Sequence, residues 1–94
     1  MSVLSPDQLA AAVLELDGWE VRDGALRKRY TFDDFAGAMA FANRVAEAAE
    51  QADHHPDLLV GWGACEVAWV SHSAGGITEK DREMAERTSS LAAA

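Results

Sequence analysis

Three imidazoles are the side chains of this 94-residue chain best suited to chemistry: His54, His55 and His72. Histidine titrates nearest to neutral pH, so it can give a proton to one atom of a substrate and take one from another. His54 and His55 are adjacent and are followed by Pro56. Proline holds the residue before it in extended backbone, so the pair is stiff and its two side chains leave in different directions. Glu50 precedes His54 by four residues, a spacing that on one helix face lets a carboxylate orient the ring. His72 follows an alternating apolar run, has Ser71 beside it, and opens the small-residue stretch Ser73-Ala74-Gly75-Gly76. Asp81 is the next carboxylate after Glu79.

Each of these residues also has a plainer explanation. Glu50 and His54 can be an exposed helix-end pair worth a few tenths of a kcal/mol (about 0.2–0.5). His-His-Pro can be a polar turn, His72 a structural hydrogen-bonder and Asp81 a helix cap. A zinc site is a further option, but adjacent histidines chelate one ion poorly and His72 is the one imidazole left to help them. No metal is therefore expected. The single cysteine, Cys65, cannot form an internal disulfide, and its alternating apolar surroundings mark it as a packing residue.

Composition narrows the function classes. Eight basic residues against 16 acidic ones give a net charge of −8. Such a chain is repelled by phosphate backbones and by anionic membrane surfaces, so direct nucleic-acid or membrane binding is not expected. The first 16 residues lack a basic segment, and no apolar run nears 18 residues, which points to a cytoplasmic protein. Residues 1–94 read as a single domain with one modest core, which subunit association would help to stabilise.

The histidines must be positioned by the elements around them. Ser5-Pro6-Asp7-Gln8 is a helix start, with Leu9, Val13 and Leu16 at helical spacing before Asp17-Gly18 ends it. A short strand around Trp19–Val21 leads to Asp23-Gly24, a hairpin signal. Leu26–Phe32 forms the return strand, and Lys28 on its apolar side predicts a sheet edge. Asp33 or Asp34 caps a second helix with an apolar stripe of Phe35, Ala38, Met39, Ala42, Val45 and Ala49, ending near residues 51–54. Leu58–Val60 reads as a third strand. Cys65, Val67 and Trp69 alternate along a fourth, which delivers Ser71 and His72 at its end. Thr78-x-x-Asp81 opens a last helix whose tail from Ser89 is expected to fray. The order α-β-β-α-β-β-α indicates an α+β fold, a four-stranded antiparallel sheet with helices packed on one face.

Taken together, Glu50-x3-His54-His55-Pro56-x5-Trp62-x9-His72-x8-Asp81 resembles the signature of the pterin-4a-carbinolamine dehydratase family. Leu16-Asp17-Gly18-Trp19, Phe32-Asp33-Asp34-Phe35, Phe41, Arg44-Val45-Ala46 and Gly76-Ile77-Thr78-Glu79-Lys80-Asp81 are similar to further family segments, and the likeness spans about residues 9 to 90. Ser71 stands where the family often has Thr, and Trp62 where it usually has Tyr. The resemblance implies a dehydratase that removes water from 4a-hydroxytetrahydrobiopterin to give quinonoid dihydropterin, recycling the pterin of aromatic amino acid hydroxylases. It implies no cofactor and a homodimer or homotetramer. It assigns proton transfer to His54 and His72, and pterin binding to His54, His55, Pro56, Ser71, His72 and Ser73. Glu50 and Asp81 stand behind the histidines. The alternative is a non-catalytic dimerisation, assembly or transcription-cofactor module on the same fold. Retention of all three histidines, which a scaffold would not need, discriminates against it.

Overall fold

The computed structural model describes residues 2–93. Helix α1 (Pro6–Glu15) starts at Ser5, whose hydroxyl accepts from the Gln8 amide while the Gln8 side chain accepts from the Ser5 amide. This reciprocal box satisfies amides that an uncapped helix leaves unpaired. Strands β1 (Glu20–Arg22) and β2 (Ala25–Thr31) are joined by Asp23-Gly24, both with positive φ, the conformation that a two-residue hairpin turn demands.

Asp34 supplies the cap of α2 (Phe35–Ala52), accepting from the Gly37 amide. The buried face is Ala38, Phe41, Ala42, Val45, Ala48 and Ala49. Phe35, expected on this stripe, is half exposed. It sits in the first turn, before the helix has closed on the sheet, and Phe41 takes the central aromatic position against Tyr30 and Phe32. Strands β3 (Asp57–Gly61) and β4 (Ala64–Trp69) follow, then a short 3₁₀ turn (His72–Ala74) and α3 (Glu79–Ala93).

The sheet is antiparallel throughout, with spatial order β1-β2-β4-β3. Strand β2 is thus interior, not the edge that Lys28 suggested. The lysine escapes burial by reaching out: its Nζ donates to the Asp17 carbonyl and lies over the Tyr30 ring. A long stem can cross an apolar surface with its charge at the margin. The short β1 and β3 are the edges. Leu26, Val67, Cys65 and Trp69 point to one face, where α2 and α3 cover them. The last helix does not fray at Ser89. That hydroxyl accepts from Trp19 Nε1 and bonds the Tyr30 hydroxyl, tying α3 to the first half of the chain. Ala94, the end of the expected frayed tail, lies outside the described residues.

Candidate active site

The ends of α2, β3 and β4 and the start of α3 meet at one end of the sheet. Helix α2 stops because Asp53 adopts a left-handed conformation (φ 50°), with its amide shared between the Ala49 and Glu50 carbonyls. That single residue turns the chain, and His54, His55 and Pro56 run extended into β3. Asp57 pairs with Ala68. Continuing that register backwards brings His54 level with Ser71, at the exit of β4.

His54 and Ser71 share one carboxylate. Asp81 is fully buried, in the first turn of α3. Its Oδ1 lies 2.6 Å from His54 Nε2. Its Oδ2 accepts from Ser71 Oγ at 2.8 Å, from the Thr78 amide at 2.8 Å and from Thr78 Oγ1 at 3.2 Å. A carboxylate can only accept, so Nε2 of His54 carries hydrogen and Nδ1 is the nitrogen left to exchange a proton. The Thr78 amide bond is half of the expected capping box; the same carboxylate both caps α3 and orients the imidazole. The ring is held from its flat side too. It stacks on Trp69, centroids 5.7 Å apart and planes 12° from parallel. Trp69 is itself fixed by Nε1 donating to Thr88 Oγ1, which donates to the Met84 carbonyl. The His54 side chain retains 16% exposure, enough for one side to reach a ligand.

His55 points elsewhere. Its Nε2 bonds Glu50 Oε2, and both side chains are largely exposed. The expected Glu50–His54 pairing is therefore replaced by Glu50–His55. The reason is the left-handed turn at Asp53: the helical i,i+4 face ends before His54, and the chain swings the next imidazole back over Glu50.

His72 opens the 3₁₀ turn, exposed, and among the described residues no side chain hydrogen-bonds its ring. The turn itself is closed. Ser71 and Gly76 exchange backbone hydrogen bonds, and Gly75, with φ 82°, accommodates the reversal. His72 lines a cavity of about 330 Å³ together with Arg27, Asp57, Val70, Gly75 and Gly76. Neither His54 nor His55 is among its lining residues. Ser73 is exposed on the same turn and Pro56 is partly buried between the two histidines and β3. The structure thus brings His54, Ser71 and Asp81 into one network, sets Glu50 with His55, and places His72 on a neighbouring cavity. Trp62 sits at the opposite end of β3, exposed.

Residue spacing pointed to Asp81 only as a cap or a family position, and to Trp69 and Thr78 only as core strand and helix start. Their joint grip on His54 joins β4 to α3, a contact that no local spacing encodes. Among the described residues, no group of three or more His, Cys, Asp or Glu side chains is arranged to hold a metal ion. Cys65 is buried, and burial pushes its thiol pKa up.

Comparison with known proteins agrees with this geometry. The model of the family described as pterin 4 alpha carbinolamine dehydratase matches residues 2–91. A Mycolicibacterium smegmatis protein provisionally named pterin-4-alpha-carbinolamine dehydratase is 51% identical over 86 residues, covering 92% of each chain. A Thermosynechococcus vestitus protein of the same provisional name is 44% identical, covering 95% of this chain and 94% of its own. Among solved structures, the transcriptional coactivator/pterin dehydratase of Brucella melitensis superposes with a TM-score of 0.90 at 32% identity, covering 96% and 98%. A pterin dehydratase-like RuBisCO assembly factor of the alpha-carboxysome superposes at 0.63 and 25% identity, covering 79% and 86%. A family match over nearly the whole chain, with close relatives of the same length and the same fold, shows that this chain belongs to the pterin-4-alpha-carbinolamine dehydratase family.

Proposed function

We propose that the protein dehydrates a pterin 4a-carbinolamine to quinonoid dihydropterin, and so returns the oxidised pterin of an aromatic amino acid hydroxylase to use. The reaction breaks the C4a–O bond and forms a C4a=N5 double bond. One proton is delivered to the leaving hydroxyl, which departs as water, and one is removed from N5. No electron is exchanged with a cofactor.

The observation that carries this reading is the His54–Asp81 pair. A catalytic imidazole must be held in one orientation and one tautomer, and here a buried carboxylate fixes one nitrogen while an indole fixes the ring plane. His54 is assigned a proton transfer through Nδ1. His72, whose ring is unengaged within the described chain, is assigned the complementary transfer. His55, with Pro56, Ser71 and Ser73, is assigned to holding the pterin. Asp81 acts through His54 and Glu50 through His55.

The test is to generate the carbinolamine freshly and follow its loss by absorbance with and without the protein. Acceleration above the spontaneous rate, saturable in substrate, supports the proposal; an unchanged rate overturns it. Survival of the rate after exhaustive chelation is expected, because protons alone are moved; loss of activity on chelation, restored by zinc, would contradict that mechanism.

A second reading, a binding module without catalysis, is favoured by the roles printed for two structural relatives, a coactivator and an assembly factor. The exposed Leu59 and Trp62, 70% and 72% accessible, would suit it.

A further inference from the structure

The cavity beside His72 contains two charged side chains that the dehydration chemistry leaves without a task. Arg27 and Asp57 lie on different strands, yet both have Ala68 as their cross-strand partner. They therefore share one row and one face of the sheet, the face away from the helices. Two strand spacings set their Cα atoms roughly 10 Å apart. Among the described residues neither is in an ion pair, so the guanidinium and the carboxylate face one cavity without neutralising each other. Arg27 is nonetheless fixed: its Nε donates to the Arg22 carbonyl at 2.8 Å, leaving its terminal nitrogens for a ligand. Ala25 and Val70 line the cavity between them with small apolar surface, and His72 closes one side.

This is the complement of a 2-amino-4-oxopyrimidine edge. Such an edge offers two adjacent N–H donors, the 2-amino group and N3–H, followed by one carbonyl acceptor. A carboxylate accepts two parallel hydrogen bonds and a guanidinium donates to a carbonyl. The volume, about 330 Å³, lies within the range of small-molecule sites. We infer that Asp57 and Arg27 are the specificity-determining pair for the substrate's pyrimidine ring, Asp57 accepting from N3–H and the 2-amino group and Arg27 donating to the 4-oxo group. In this orientation the ring-fusion carbon C4a lies on the far side of the ring from Asp57, toward His72. The inference rests on the dehydratase reading and adds to it which atoms of the pterin are recognised.

The test compares binding of 6-methylpterin and 6-methyllumazine by intrinsic fluorescence, in wild type, Asp57→Asn and Arg27→Met. Lumazine carries a second oxo group in place of the 2-amino group and so turns an acceptor toward Asp57. A hydrogen bond to a charged group corresponds to about a 10- to 100-fold change in affinity. Wild type should therefore prefer the pterin by at least about tenfold. Asp57→Asn should bring that ratio close to one, and Arg27→Met should weaken both ligands alike, since both keep the 4-oxo group. Both positions are at the surface of the sheet, so the fold should persist, as circular dichroism would verify. An Asp57→Asn variant with the wild-type preference, in a protein that still accelerates dehydration, overturns the Asp57 assignment and leaves the dehydratase reading standing. An unchanged pterin affinity in Arg27→Met overturns the Arg27 assignment in the same way. A wild type that neither binds the pterin nor speeds dehydration overturns both the inference and the reading beneath it.

Discussion

His54 and His55 are neighbours in the chain but have different surroundings, and their variants should separate accordingly. His54 is joined to a buried carboxylate and stacked on a buried indole; His55 meets Glu50 in the open. An exposed ion pair is worth at most about 1 kcal/mol. Glu50→Gln should therefore change KM by no more than about fivefold and leave kcat alone. Asp81→Asn should instead lower kcat strongly: the amide cannot accept all of the bonds that Asp81 now takes, and the His54 ring loses its fixed tautomer. Because buried donors lose an acceptor, its stability should also fall, by about 1–3 kcal/mol. Steady-state kinetics and urea unfolding on the two variants check both statements; a kcat effect larger for Glu50→Gln than for Asp81→Asn would reverse the assignment. These histidines were legible in the sequence as candidates, and their spacing singled out Glu50 as a partner. It did so for the wrong ring. The partner depends on the left-handed Asp53, one backbone conformation that a spacing rule built on a continuous helix does not contain.

At the scale of the elements, the start signals were the most readable. Ser5, the Asp23-Gly24 turn and Thr78-x-x-Asp81 act within four residues, so their chemistry is local and the structure uses each of them. Of the two aspartates that could start α2, it is Asp34 that accepts from the Gly37 amide. Asp34→Ala should cost about 1 kcal/mol, and Asp33→Ala close to nothing, by urea unfolding. What the sequence concealed was lateral order. Lys28 marked β2 as an edge, yet the strand is interior because a lysine stem can lie over Tyr30 and still place its ammonium on a carbonyl. The end of α3 was hidden for the same reason. Ser89 looks like a helix-weakening residue, but Trp19 and Tyr30 bind it from 70 and 59 residues away.

For the whole molecule, burial governs two titrations. Burial, foremost, raises the pKa values of Cys65 and Tyr30 in the folded state; hydrogen bonds from Ser89 and Trp19 partly offset this at Tyr30. A neutral thiol or phenol kept neutral by folding stabilises the fold fully below its unfolded pKa. That contribution is lost as pH rises from the unfolded value through the raised folded one. Stability should therefore decline above the ordinary thiol range, about pH 8.5, and further above about pH 10. At neutral pH, Ellman's reagent should label Cys65 slowly in the native protein and at once in denaturant; equal rates would contradict the burial. No helix among the described residues is long and apolar enough to cross a membrane. Strand β3, an edge carrying exposed Leu59, is a template for pairing with a second copy, and a homo-oligomer is expected. Sedimentation at micromolar concentration should show at least two 10.1 kDa chains together; a monomer alone would contradict this. The most direct measurement of the central claim is the turnover of fresh 4a-carbinolamine by wild type, His54→Ala, His72→Ala and the double variant, each shown by circular dichroism to be folded. Removing one proton-transfer group typically costs about 10²–10⁴-fold, and residues that act as a unit lose less together than the product of their separate losses. The account predicts large falls in kcat for each single variant and such a sub-multiplicative loss for the pair; a folded double variant with wild-type turnover would contradict it.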